Sequence, residues 1–154
     1  MSAIAVEVDF DDEVILRYAS RGSPLLFGIR VVSRGASYPD ANWLDFGAIV
    51  LSWWGTATQR LIAGHTEESL RFMDGPFALR AHRGGDNLEL RATNGGAFSA
   101  KTTVDEWSSS LVVASTFVLA HARSIGVWGK DCDALLICRD ELHEVLKHLT
   151  STAR

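Results

Sequence analysis

Five histidines, two cysteines and several knots of carboxylates are the residues of this chain best suited to chemistry. His65, His82, His121, His143 and His148 fall in no HExxH or HxH pattern. None therefore has the spacing that brings two imidazoles to one metal ion. On a helix the spacing between His143 and His148 turns them to different faces. His121 lies on the fringe of an apolar run and reads as a half-buried side chain. Cys132 and Cys138 are too far apart for a CxxC pair, and they read as reduced thiols, Cys138 in the core and Cys132 in a loop. No serine occupies a GxSxG elbow. Gly84-Gly85 and Gly95-Gly96 lack the GxxxxGK[ST] spacing of a phosphate loop and read as turns. The expectation is a chain without metal, cofactor or catalytic residues, although a triad assembled in space would leave no local trace.

The carboxylates carry more information. Asp9, Asp11, Asp12 and Glu13 crowd one turn, Glu67 and Glu68 a second, Asp131 and Asp133 a third. Such groups can hold a cation, cap a helix N-terminus, or steer a basic partner. The last option makes Asp9, Asp11, Asp12 and Glu13 candidate partner-binding residues. Asp45 has the position of a helix cap, and Asp74 opens an Asp-Gly-Pro turn. The other concentrated signal is Trp43–Ile62, which holds three of the five tryptophans. Tryptophan combines the largest apolar area with one N–H that needs a partner when buried. On a helical wheel Phe46, Ile49, Val50, Trp53, Trp54, Ala57 and Leu61 form one stripe. That wheel puts Trp53 in the core. Trp43 and Trp54 fall toward its edge and join the candidate partner-binding residues.

The elements that must position these groups follow from periodicity. Ile4–Phe10, Val14–Ala19 and Leu25–Val32 read as strands, with a loop over Arg34–Asn42. Trp43–Ile62 reads as a helix closed by Gly64, with a strand over 44–54 as the competitor. Ser69–Met73 is a further strand. Leu79 and Ala81, then Leu88 and Leu90, alternate with polar residues around a Gly-rich turn, an antiparallel hairpin with one wet face. Ala97–Thr102 adds a strand. Thr103 and Glu106 form a capping box for a helix through Val104, Trp107, Leu111, Ala114, Val118, Ala122 and Ile125, which Gly126 stops. Asp133–Leu149 is the last helix, with 134–138 as a competing strand. The expected fold class is α+β: an antiparallel sheet of about six strands with three helices, in the order βββ-α-βββ-αα, packed mainly on one face. Residues 1–150 form one domain, and 151–154 a frayed tail.

Bulk properties agree with a globular chain. It has 154 residues, of which 47% are hydrophobic and 22% charged, with a net charge of -4. Mild acidity argues against nucleic acid as a partner. The longest mostly apolar stretch, Leu111–Ala122, is too short to span a bilayer, and the N-terminus has no signal-peptide pattern. A cytoplasmic location is expected.

Three stretches together, WLDFGAIVLSWW, RFMDGPFALRAHRGGDNLELRAT and VDEWSSSLVVASTFVLAHARSIGVWGKD, resemble small bacterial immunity proteins of polymorphic or contact-dependent toxin systems. The resemblance covers roughly residues 43–133. Its motifs are W-x-D-F, the F-M-D-G-P turn and a tryptophan opening the last long helix pair, which are structural in kind, so no site residue is implied. It implies a cytosolic inhibitor that binds one cognate toxin and occludes its active site or locks it inactive. An acidic face would suit a basic nuclease toxin. Two other classes compete: a small-molecule-binding protein or enzyme with a pocket lined by Trp53, Trp54, Trp107 or Trp128, and a homo-oligomeric subunit, for which a homodimer is the simplest form.

Overall fold

The computed structural model describes residues 4–94 and 96–152. Met1–Ala3, Gly95, Ala153 and Arg154, the last two in the expected tail, lie outside the described residues. Among the described residues the order is β1 (Ile4–Asp9), α1 (Asp12–Ala19), β2 (Phe27–Ser33), β3 (Ala36–Tyr38), β4 (Leu44–Asp45), α2 (Gly47–Ile62), β5 (Glu67–Arg71), β6 (Ala78–Gly84), β7 (Asn87–Ala92), β8 (Ser99–Thr103), α3 (Val104–Ser124) and α4 (Lys130–Thr152). The class is α+β with antiparallel sheets. The strands form two sheets of four rather than one of about six. The first has β1 and β3 on either side of β2, with β4 also pairing β2. The second runs β5-β6-β7-β8.

Val14–Ala19, expected as a strand, is helical. Asp11 caps it by accepting from the Val14 N–H at 3.4 Å, with Asp12 and Glu13 in its first turn. Carboxylates there complement the helix dipole, and this outweighs the β propensity of Val14 and Ile15. Residues 134–138 are also helical, within α4, which continues to Thr152. Cys132, expected in a loop, is buried in the first turn of α4. The hairpin of β6 and β7 matches its sequence pattern, with Leu79, Ala81, Leu88 and Leu90 all buried and Ala81 directly opposite Leu90.

The start of α3 is half as expected. Thr103 accepts from the Glu106 N–H at 3.1 Å, but the Glu106 carboxylate accepts from the Thr102 hydroxyl rather than returning to the cap. Gly64 and Gly126 follow the ends of α2 and α3 with φ of 123° and 73°, the left-handed geometry that ends helices. Arg83 donates to the Leu61 carbonyl at 2.7 Å and so satisfies the last turn of α2.

The largest correction concerns α2, which begins at Gly47. Its buried face runs through Gly47, Val50, Leu51, Trp54, Ala57, Thr58 and Leu61. Trp54 is 0% exposed and Trp53 is 43% exposed, the reverse of the wheel assignment. The face is set by small residues. Gly47 lies against the Phe27 ring and Gly55 against the Cys138 sulfur, so close that a Cβ would collide with either. A wheel weighted by side-chain size misses such contacts. Trp54 donates its indole N–H to the Arg71 carbonyl at 2.8 Å, and Trp107 donates to Thr58 Oγ1 at 3.1 Å. Both buried indoles are thus satisfied. One hydrophobic cluster draws on both sheets and all four helices. No helix among the described residues is long and apolar enough to cross a membrane.

The two motifs W-x-D-F and F-M-D-G-P meet in space. Asp45, 0% exposed, accepts from the Trp43 indole N–H at 3.0 Å, the Phe46 N–H at 2.7 Å and the Asp74 N–H at 3.2 Å. Trp43 also sets its ring edge-on to Phe77, 5.0 Å between centroids. Asp45 is thus not a helix cap in the usual sense. It fastens the turn after β5 to the strand before α2.

Candidate functional site

The acidic knot is largely answered by its own neighbours. Asp9 pairs with Arg30 at 3.0 Å, and Glu13 with Arg17 at 3.6 Å. Asp11 is occupied as the cap of α1. Asp12 Oδ1 and His121 Nε2 are hydrogen-bonded at 2.6 Å, and the His121 ring stacks on Phe10 at 4.2 Å. These four carboxylates share one end of the fold, but they tie β1 to β2, cap α1 and link α1 to α3 rather than presenting a bare anionic surface. Trp54 is fully buried and cannot reach a partner. Trp43 is half-buried with its N–H committed to Asp45.

Neither thiol is poised as a nucleophile. Burial pushes both Cys138 and Cys132 up from the ordinary thiol range, and burial likewise raises the Tyr38 phenol. A reactive cysteine needs the opposite shift. The sign for stability follows. Groups whose pKa is higher folded than unfolded stabilise fully below the unfolded value, and that contribution is lost as pH rises. Stability to urea is therefore expected to fall above about pH 8.5, where unfolded thiols ionise. Both cysteines should react with a disulfide reagent only on unfolding. Labelling of the native chain at neutral pH would contradict this. Among the described residues no group of three His, Cys, Asp or Glu is placed to hold a metal ion.

The exposed chemistry lies elsewhere, on the outer face of the second sheet. Strand register places side chains there in rows. Ser69, Arg80, Arg91 and Ser99 stand side by side across all four strands. Glu67, His82, Glu89 and Lys101 form the next row, and Arg71 lies opposite Ala78. Arg71, Arg80, Arg91 and Lys101 outnumber Glu67 and Glu89 on this face, in a chain of net charge -4. Arg80 pairs with Glu67 at 3.1 Å, and Arg91 pairs with Glu89. Arg80 and Arg91 are direct cross-strand partners, an arrangement that costs stability in itself.

At the β5 side of this face a groove of about 280 Å³ opens between α2 and β5, lined by Trp53, Thr56, Arg60, Ser69 and Arg71. Arg60 is paired with Glu68. Among the described residues Arg71 has no ion pair, and its guanidinium has no hydrogen-bond partner. Trp53 forms the apolar wall. The period-two pattern of the hairpin already put Arg80 and Arg91 at outward positions; it did not place Arg71 or Lys101, and it lacked the correct rotation of α2, which brings Trp53 beside Arg71. Comparison of the chain with known protein families, curated proteins and solved structures finds no match.

Proposed function

We propose that this chain is a non-catalytic protein-binding module of the immunity type, which neutralises a cognate bacterial toxin by docking on it and occluding it. The observation that carries the reading is Trp53, a large indole left 43% exposed beside the unpaired Arg71 at the edge of a basic sheet face. Tryptophan and arginine dominate the energetic centres of protein interfaces. The resemblance of the Trp43–Asp133 region to immunity proteins supplies the biological role. The charge argument runs opposite to the one from sequence: the acidic knot is internally paired, so the docking face is the basic one and its partner presents acidic groups.

The test is co-expression with toxin domains encoded beside the gene. The wild-type chain is expected to restore growth. The double variant W53A/R71E should lose rescue and binding while remaining folded, whereas D11N/E13Q should retain both. Equal rescue by W53A/R71E would overturn the docking face, and the absence of a toxic neighbour would remove the immunity role.

A further inference from the structure

We propose that the groove between α2 and β5 is a socket for one acidic side chain of a partner protein, its carboxylate held by Arg71 and its methylenes laid against Trp53. This inference rests on the protein-binding reading and deepens it. The groove, at about 280 Å³, is open to solvent and sits at the lower edge of the range of about 300–1,000 Å³ typical of small-molecule and cofactor sites. A side chain of a docked partner can enter it without displacing the protein. Its donors are complementary to a carboxylate. Arg71 offers a planar fork of N–H groups with no partner among the described residues, and a guanidinium matches a carboxylate in bidentate fashion. The Thr56 hydroxyl is spent on the Ser52 carbonyl at 3.0 Å, so it contributes an acceptor edge rather than a donor. Charge favours an anion, because Arg71 has no counter-ion among the described residues and the cations Arg71, Arg80, Arg91 and Lys101 outnumber Glu67 and Glu89 on this face.

The same surface disfavours a nucleic acid. Glu67 and Glu89 stand among the cations and Glu68 lies beside Arg60, so a string of phosphates would meet carboxylates. A protein surface carries separate acidic side chains that can avoid them. Affinity for nucleic acid needs many phosphate contacts at once.

The experiment is a nitrogen-15 NMR titration of the full chain, following the tryptophan indole and arginine Nε–H resonances. The probes are a short blocked peptide of glutamate, leucine and glycine, its glutamine counterpart, and a short oligothymidylate. The acidic peptide is expected to shift the Trp53 indole and Arg71 Nε–H signals saturably. Binding should weaken at least about tenfold with the glutamine peptide and in Arg71→Gln, and it should weaken as salt rises. Arg71 is exposed, so the unchanged remainder of the spectrum confirms that R71Q folds. Equal binding of the glutamine peptide, shifts centred elsewhere, or tighter binding of the oligothymidylate would overturn the socket. The two readings separate cleanly. Rescue that depends on Trp53 and Arg71 without selective peptide binding sinks the socket alone. Selective peptide binding with a W53A/R71E chain that still rescues sinks the docking role alone.

Discussion

Trp54→Ala is expected to destabilise the fold by about 3–5 kcal/mol, the range for removing a large buried aromatic. Trp53→Ala, one residue away, is expected to cost under about 1 kcal/mol. The contrast follows from what each ring touches. Trp54 is enclosed, with Phe72 edge-on at 5.0 Å and Trp107 at 6.1 Å between centroids. Its removal leaves a cavity and strips the Arg71 carbonyl of its indole donor. An acceptor only partly reached by water, left bare, adds to the cavity cost. Trp53 walls an open groove and has no such enclosure. Urea unfolding followed by circular dichroism measures both. Similar midpoints for the two variants would mean that the rotation of α2 described above is wrong.

Asp45→Ala is the second large effect, at roughly 2–4 kcal/mol. The substitution abandons the Phe46 and Asp74 N–H groups and the Trp43 indole N–H together, and each buried unsatisfied donor costs about 1–3 kcal/mol. The lower end applies to Trp43 and Asp74, which water can partly reach. Asp45→Asn is expected to recover part of the loss, because its Oδ1 still accepts from the Phe46 and Asp74 N–H groups while its amide N–H groups meet the Trp43 indole N–H. Hydrogen exchange at Asp74 should accelerate in Asp45→Ala. Protection at wild-type level would show that the turn is held by something other than Asp45.

Much of this architecture was legible from local pattern. The β6–β7 hairpin is visible because Leu79, Ala81, Leu88 and Leu90 alternate on either side of a glycine turn, and α3 because Thr103 precedes a strict three-four repeat. Where the pattern misled, small residues or caps were responsible. The apolar run Val14-Ile15-Leu16 has strand composition, yet Asp11 ahead of it nucleates a helix. Gly47 and Gly55 carry almost no hydropathy, yet they decide which side of α2 approaches Phe27 and Cys138. Splitting into two sheets is set by tertiary contacts that no short window contains. The candidate surface stayed hidden for a related reason. Trp53 comes from α2 and Arg71 from β5, so the groove exists only after these elements meet. The acidic knot, by contrast, is conspicuous in sequence because its charges are consecutive, and adjacency is what lets Arg30, His121 and Arg17 answer them.

Tyr38 gives the two sheets a common fate. Its hydroxyl donates to the Ala78 carbonyl at 3.0 Å and accepts from the Ala78 N–H at 3.1 Å. One phenol on β3 thus bonds both backbone polar groups of the first residue of β6, although no strand of the first sheet pairs with the second. Lifting β6 away at Ala78 would leave the Tyr38 hydroxyl and the Ala78 N–H without these bonds, while the Ala78 carbonyl keeps the Thr93 N–H at 3.1 Å. Local opening at Ala78 is therefore coupled to the first sheet through one side chain, and a single cooperative unfolding transition is the expected outcome.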